Sequence, residues 1–208
     1  MSFNLKGKMV FFATGNIHKF NEARVVLRQH GLAAAMLREK ALEIQSDNLA
    51  EIASASAVDA YKRCHLPLIV EDAGLFVDAL KGFPGPYAAY VYKTVENAGL
   101  IKLMENVQNR KATFRSAIAY CDDESGKTTC FLGEATGEIT TQERKKDSKS
   151  AFGFDPIFQP QGSTKTFAEM TLEEKNCFSH RAKAIRFAEP VRQMSRVGVS
   201  TRITLACR

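Results

Sequence analysis

The sequence predicts an α/β fold in which a mixed β-sheet is flanked by helices. Two observations favour this class: an apolar strand runs into an amphipathic helix, and a second helix runs into another apolar strand. Strands that alternate with helices tend to pair in parallel, because the helix returns the chain to the same edge of the sheet. A later segment of alternating pattern, followed by a turn and a second strand, predicts a hairpin. The sheet should therefore be mixed.

The first strand and helix are predicted at residues 9–13 and 17–30. The run M-V-F-F-A is uninterrupted and apolar, which is typical of a buried strand. In the helix, apolar residues recur at steps of three and four from Phe20 to Leu27 and share one stripe. Gly31 follows as a stop, since glycine readily takes the left-handed conformation that ends many helices.

The second helix has the clearest periodicity in the chain. Apolar and small residues recur at steps of three and four between residues 49 and 64, and Asn48 with Glu51 resembles a capping box. Residues 67–70 then predict a short buried strand that runs into the acidic turn E-D-A-G.

The middle of the chain predicts a helix and a hairpin. Residues 100–107 carry apolar positions at helical spacing, and residues 111–121 alternate between polar and apolar. A second strand is expected at residues 127–132, after the turn D-D-E-S-G.

The last part of the chain predicts two helix starts. The sequence T-L-E-E at residues 171–174 is a second capping-box pattern. Ser179 should cap a final helix that runs from residue 180 towards 194, with Pro190 bending or ending it. Residues 195–208 have no recognisable period and form an unassigned tail.

Composition limits the possible classes of protein. The 208 residues are 45% hydrophobic with a net charge of +6, and we expect one folding unit, residues 1–208. The five cysteines are dispersed without a C-x-x-C pair, so neither a disulfide framework nor a zinc site is favoured. Apolar runs are too short for a secretion signal or a membrane span, so a cytoplasmic protein is expected. The positive charge suits anionic partners, either nucleic acid or small phosphates.

The first candidate site is the turn A-T-G-N-I-H-K-F at residues 13–20. Backbone N–H groups and the positive end of the helix dipole converge there, and Lys19 adds a full charge, so a phosphate would be favoured. The alternative is an ordinary turn in which Gly15 permits the bend and Asn16 caps the helix.

Carboxylates form the second candidate site. Glu71 and Asp72 follow the predicted short strand at its carboxyl end, where open α/β sheets place ligands. Such oxygens suit Mg²⁺, and one carboxylate could accept a proton from an attacking water. The alternative is a solvated acidic turn. Glu43, just before the second helix, is a third acid that says nothing alone.

Two further segments could contact a nucleotide. The loop F-G-F-D-P at residues 152–156 offers aromatic rings for stacking, worth about 1–3 kcal/mol per base, and an acid that could accept from ring N–H groups. Lys175, and S-H-R at residues 179–181, offer donors to phosphate or carbonyl oxygens. The alternatives are aromatic residues that fill a core and a solvated basic helix end.

Taken in order, these segments resemble the inosine/xanthosine triphosphate pyrophosphatase family, whose members remove non-standard purine nucleotides. The resemblance runs from about Lys8 to Ala188 and depends on the number, order and spacing of the motifs. The motifs are TGNIHK at residues 14–19 with Glu22, EIQ at 43–45, VEDAG at 70–74, GFPGPY at 82–87, FGFDP at 152–156, FAEM at 167–170, EKN at 174–176 and SHR at 179–181.

The resemblance implies hydrolysis of a nucleoside triphosphate between its α and β phosphates with Mg²⁺, which releases the monophosphate and pyrophosphate. The implied substrates are ITP, dITP and XTP. The resemblance also implies an elongated fold whose two lobes have the active-site cleft between them, and a homodimer. Neither a membrane nor a stable nucleic-acid partner is expected.

The family's functional residues carry over to positions in this chain. Asp72 would be the general base and would hold the metal with Glu43. The triphosphate would bind at Thr14, Gly15, Asn16, Ile17, His18 and Lys19. Other substrate contacts would come from Ala73, Phe152, Gly153, Phe154, Asp155, Lys175, His180 and Arg181, with Phe152 stacking on the base and Asp155, His180 and Arg181 reading it.

Base discrimination has a physical interpretation. Donors from His180 and Arg181 at O6 would favour 6-oxo purines and leave the amino group of adenine facing donors. Two departures from the family pattern concern phosphate contacts. Ala73 stands where many members have Ser or Thr, and many members place a Lys near Ser56, whereas the nearest here is Lys62 on another face.

Two other functions are possible from the sequence. A nucleic-acid-binding module would suit the positive charge, although the basic residues are spread out and no RNA-recognition or helix-turn-helix signature appears. A catalytically silent nucleotide sensor would require Glu43 or Asp72 to be badly placed.

Overall fold

A computed structural model describes residues 9–38, 42, 44–146 and 152–187. The strands and helices, in chain order, are β1 (Met9–Ala13), α1 (Ile17–Gln29), β2 (Ala33–Leu37), α2 (Leu49–Cys64), β3 (Leu68–Val77), β4 (Pro84–Gly85), α3 (Ala88–Leu103), β5 (Lys111–Cys121), β6 (Thr129–Ile139), β7 (Phe158–Pro160), α4 (Leu172–Phe178) and α5 (His180–Phe187). Among these residues, seven strands form one open sheet in the order β2-β1-β3-β5-β6-β7, with β4 paired to β3. The predicted α/β class is confirmed.

The sheet is mixed, as predicted. Strand β1 pairs in parallel with β2 and β3, because α1 and α2 return the chain to the same edge. The pairs β3 with β5, β5 with β6, and β6 with β7 are antiparallel. The predicted hairpin is the connection between β5 and β6, and β6 extends beyond the predicted end, to Ile139.

Local signals located the first two helices correctly. Asn16 caps α1 by accepting from the backbone amides of His18 and Lys19, and Gly31 follows at a φ of +70°. Helix α2 has the predicted bounds, but the predicted capping box is not formed. Instead, Ser46 Oγ donates to Glu51 and accepts from the Asn48 amide, so a serine outside the motif links the two residues.

Strand β3 is longer than the sequence predicted. It continues through Glu71 and Asp72 to Val77, because β5 pairs with it along all ten of its residues. The two acids therefore lie within a strand and not at its carboxyl end, which corrects the prediction. The parallel pairing with β1 nevertheless ends at Ile69, so the acids follow directly after the parallel part of the sheet.

Helix α3 begins earlier than predicted, at Ala88. Its backbone is interrupted at Glu96, where φ is 56° and ψ is −166°, so the residues before and after this point do not share one stripe. The sequence pattern therefore located only the last turn of α3, and the helix ends at Leu103 and not at the predicted residue 107. Helix α5 is described as far as Phe187, and the predictions about Pro190 and residues 195–208 lie outside the described residues.

Helices cover both faces of the sheet. One face packs against α1 and α5, and we call it the α5 face; Ile69 and Ile118 belong to it. The opposite α2 face includes Val70 and Ala117 and packs under α2. A third cluster, which includes residues of α3, covers the far half of the sheet. No helix in the described part of the chain is long and apolar enough to cross a membrane.

Candidate active site

The predicted phosphate turn is formed at the N-terminus of α1. Thr14 follows β1 and its Oγ1 accepts from the Asn16 amide at 3.1 Å, while Gly15 is exposed with open space above it. The Asn16 side chain already bonds the amides of His18 and Lys19 at 2.9 and 3.2 Å. An anion bound at this turn would therefore be stabilised mainly by the helix dipole and the Lys19 charge, because the amides of His18 and Lys19 already have a partner. Ile17 and His18 are exposed beside it.

Glu71 and Asp72 lie on opposite faces of β3, because side chains alternate along a strand. Glu71 points to the α5 face and is buried there. Its Oε1 accepts from Ser116 Oγ at 2.8 Å and lies 3.0 Å from Arg181 Nε, and its Oε2 lies 3.2 Å from Lys19 Nζ. Burial alone would raise the pKa of Glu71, but the charges of Arg181 and Lys19 outweigh it and hold the pKa well below its usual range.

Asp72 points to the α2 face, where it is half-buried and lies opposite Ala117. Leu42, which precedes α2, is held on the same side of the sheet. Leu42 is anchored to α2, since its carbonyl accepts from Ser56 Oγ at 2.7 Å and its amide donates to Asp59 at 3.3 Å. Glu43, the predicted second metal ligand, is the next residue and lies outside the described residues.

A buried ionic network occupies the predicted base-binding end. Lys175 Nζ donates to Asp155 at 2.5 Å and to Glu22 at 2.7 Å, and Arg181 Nη1 bonds the other oxygen of Glu22. All four side chains are almost completely buried. The network joins α1, α4, α5 and the loop before β7 into one polar unit.

Glu22 is the residue of this network to which the sequence motifs assigned no role. It belonged to the first family motif, and it lies beside the buried stripe of α1. This position next to apolar residues could have indicated a buried acid. Burial acts to raise the pKa of Glu22, but Arg181 and Lys175 outweigh it and lower the pKa to about 2. Asp155 shares Lys175 with Glu22, and burial raises its pKa. Of these two carboxylates, Glu22 therefore holds its negative charge to lower pH.

His180 is neutral at physiological pH, since burial lowers its pKa to about 3 and the Arg181 charge adds to the effect. Its ring stacks on Phe114 with centroids 4.8 Å apart. Its Nδ1 is buried and has no hydrogen-bond partner among the described residues. An unpaired buried nitrogen is costly, so a ligand atom that satisfies it would be favoured.

The side chains of the loop at residues 152–155 lie in different environments. Phe152 is half-buried and stacks on His18 of the phosphate turn, with centroids 4.9 Å apart. Phe154 packs edge-on against Tyr92 in the far core, so its ring fills the core, as the alternative interpretation held. Gly153 is half-exposed between them. Phe152 is thus the aromatic ring beside the predicted site.

The two departures from the family pattern have structural counterparts. Ala73 is half-exposed beside the acids on β3. Ser56 is buried and bonds Leu42, while Lys62 is exposed in the last turn of α2. Neither position supplies an additional cation to this site.

Helix α5 packs against β6 at a glycine. A Cβ at position 133 would lie 2.2 Å from the backbone oxygen of His180 and 2.4 Å from the amide of Ala184. Only glycine allows this approach, which sets the positions of His180 and Arg181 relative to the sheet.

A protein-family model described as the Ham1 family matches residues 10–190. The chain belongs to the Ham1 family. The matched span includes every predicted site residue. A Methanopyrus kandleri protein named dITP/XTP pyrophosphatase is 47% identical over 181 residues, covering 86% of this chain and 94% of its own length. A protein of the same name from Hyperthermus butylicus is 46% identical over 182 residues, covering 88% and 93%.

Solved Ham1 structures share this fold. The Staphylococcus aureus Ham1 protein superposes with a TM-score of 0.74 at 27% identity, covering 90% of this chain and 99% of its own. A HAM1 protein from Coxiella burnetii gives 0.72 at 28% identity, covering 91% and 98%. The similarity to Ham1 proteins therefore extends over nearly the whole chain in both sequence and fold.

Proposed function

We propose that this Ham1 protein hydrolyses non-standard purine nucleoside triphosphates, namely ITP, dITP and XTP, between the α and β phosphates. The products are the nucleoside monophosphate and pyrophosphate, and the reaction cleanses the nucleotide pool. The names of its relatives from Methanopyrus kandleri and Hyperthermus butylicus support the substrate class.

One observation carries the proposal. The cation of the phosphate turn, Lys19, and the cation of the base-binding end, Arg181, both pair with the single carboxylate of Glu71. Asp72 is the next residue of the same strand. A nucleotide that contacts both cations would therefore lie along β3 at Glu71, one residue from Asp72, whose side chain points to the opposite face of the strand.

Asp72 acts as the general base. A half-buried carboxylate just beyond the parallel part of the sheet can accept the proton of an attacking water. The arrangement needs positioning and charge neutralisation more than a covalent nucleophile, as is typical of phosphoryl transfer.

Asp72 and Glu43 would hold Mg²⁺. Their donor chemistry fits, because Mg²⁺ is bound through one or two carboxylates together with substrate phosphates. Glu71 does not fit, since its oxygens already face Lys19, Ser116 and Arg181. The described residues contain no group of three or more His, Cys, Asp or Glu side chains that could hold a metal, which is compatible with this small ligand set. When bound, Mg²⁺ supplies neutralisation of charge on the phosphates.

The base is read at the start of α5. His180 is neutral and Arg181 is cationic, so both can donate to the O6 atom of hypoxanthine or xanthine. The amino group of adenine would face these donors without an acceptor, and such a mismatch discriminates strongly. Phe152 and Asp155 complete the contacts, through stacking and acceptance from the ring N–H.

The assembly and location follow the family pattern. We propose a cytoplasmic homodimer, and three exposed aromatic residues offer apolar surface for a second copy: Phe83 and Tyr87 before α3, and Tyr90 in its first turn. Light scattering of the purified protein tests the dimer, and a monomer at micromolar concentration would contradict it.

A nucleotide panel tests the function. ITP, dITP, XTP, ATP and GTP are each incubated with Mg²⁺, and pyrophosphate and orthophosphate are measured separately. We expect pyrophosphate from the first three, with kcat/KM for ATP at least about 100-fold lower than for ITP. Orthophosphate released from the γ position, or equal turnover of all five nucleotides, would overturn the proposal.

A further inference from the structure

We infer that Glu71 is a positioning residue that couples the grip on the triphosphate to the reading of the base. The inference rests on the proposed function and links triphosphate binding to base recognition. Glu71 touches neither phosphate nor base in this account. It acts through Lys19 on one side and Arg181 on the other.

The two contacts use different oxygens of the same carboxylate. Lys19 Nζ lies 3.2 Å from Oε2 and donates to the Glu71 backbone oxygen at 3.3 Å. Arg181 Nε lies 3.0 Å from Oε1, which also accepts from Ser116 Oγ at 2.8 Å. The two cations come from elements far apart in sequence, and one anion fixes the distance between them.

Burial makes this link stiff. The Glu71 side chain is 0% exposed and that of Arg181 is 3% exposed, so neither can exchange its partner for water. Lys19 is 20% exposed and is the member of the set that reaches solvent. Arg181 is further held by Glu22, so a change at Glu71 alters the balance of charge around the guanidinium without releasing it.

The consequence is a dependence of base preference on a residue that does not touch the base. If Lys19 is removed, Glu71 loses one of its two cations and pairs more strongly with Arg181 alone. The guanidinium is then less available to the O6 atom of the substrate. The effects of substitutions at coupled residues are not additive. Coupling of this kind should change the ITP to ATP ratio of kcat/KM by about tenfold.

Steady-state kinetics of Lys19→Ala tests the coupling. We expect kcat/KM to fall for both ITP and ATP and, in addition, the ITP to ATP ratio to fall about tenfold. In the Glu71→Gln background the same Lys19→Ala change should leave the ratio unaltered. Arg24→Ala, an exposed cation on the same helix, is the matched control and should change neither value. Equal losses for ITP and ATP in both backgrounds would overturn the inference.

Inhibition by tripolyphosphate, which carries no base, separates positioning from general damage. Glu71→Gln removes one negative charge beside Lys19, so tripolyphosphate should inhibit at least as strongly as in the unchanged protein while kcat for ITP falls. Weakened tripolyphosphate inhibition together with lost turnover would mean structural damage and would contradict the inference. Ser116→Ala removes a hydrogen bond to Glu71 but no charge, and it should leave the ITP to ATP ratio within about twofold. If the unchanged protein releases no pyrophosphate from ITP, the proposed function fails instead.

Discussion

The two faces of β3 assign neighbouring acids to different tasks. On the α5 face, Glu71 is buried and paired with Lys19 and Arg181. On the α2 face, Asp72 is half-buried and lies opposite Ala117, which packs in the same cluster as α2. Adjacent carboxylates on a strand are therefore not an interchangeable pair. Glu71 pairs with two cations, and Asp72 carries proton transfer and metal binding in the proposed mechanism.

The largest expected effect is at Asp72. Asp72→Asn keeps the shape of the side chain but removes the base, so kcat for ITP should fall by about 10²–10⁴-fold. The free energy of unfolding should change by less than about 1 kcal/mol, because Asn has the same size and shape as Asp and keeps an oxygen acceptor. Pyrophosphate release and urea unfolding measure the two quantities. Retained turnover would remove Asp72 as the base.

On the α5 face, the larger effect is expected on stability. Glu71→Ala leaves Arg181 with an uncompensated share of buried charge, so the free energy of unfolding should fall by about 3–5 kcal/mol. Asp72→Ala is the matched truncation one residue away and should cost less. Urea unfolding of both variants measures the difference, and equal losses would show that the two faces do not differ as proposed.

Gly133 sharpens the comparison, because it supports the α5 face from β6. Gly133→Ala should cost about 1–3 kcal/mol and displace the start of α5, which lowers the ITP to ATP ratio. Gly137→Ala is the control. Gly137 lies on the same strand, and its Cβ would lie 2.3 Å from the backbone oxygen of Gln159, away from the site. It should destabilise similarly and keep the ratio. Loss of the ratio in both variants would mean that general strain, not the position of α5, sets base preference.

The last expected effect concerns the pH dependence of stability. His180 stays neutral in the folded protein down to about pH 3 but takes up a proton below its ordinary pKa of 6.5 when unfolded. Stability from this residue is therefore present above pH 6.5 and is lost as the pH falls towards 3. Glu22 adds a loss of the same sign from its ordinary value of 4.5 towards about 2.

Urea unfolding between pH 4.5 and 7 tests this effect. The stability of the unchanged protein should fall more steeply than that of His180→Asn, by up to about 1.4 kcal/mol per pH unit. Parallel curves would mean that His180 takes up its proton in the folded state.

The sequence predicted the elements whose signals are local. The bounds of β1 and α2 follow from apolar runs and periodicity, and α1 ends one residue before its predicted end, at Gln29. The length of β3 was missed because E-D-A-G reads as a turn, whereas pairing with β5 holds it extended. All but the last turn of α3 was missed because Glu96 breaks the helical period.

The site was predicted as a set of residues but not as an arrangement. The motifs identified Lys19, Lys175 and Arg181, yet nothing in the sequence pairs Lys19 with Glu71, which lies 52 positions away. The opposite faces of Glu71 and Asp72 would have followed from alternation had the strand been extended through them. Glu22 was missed as a partner because its contacts are 153 and 159 positions distant.

The site of bond cleavage tests the central claim most directly. Two ITP analogues are compared with Mg²⁺: one with an imido bridge between the β and γ phosphates, and one with a methylene bridge between the α and β phosphates. The account predicts that the β,γ-imido analogue is hydrolysed to IMP and imidodiphosphate, whereas the α,β-methylene analogue is inert. Release of orthophosphate from the α,β-methylene analogue, with the β,γ-imido analogue intact, would contradict it.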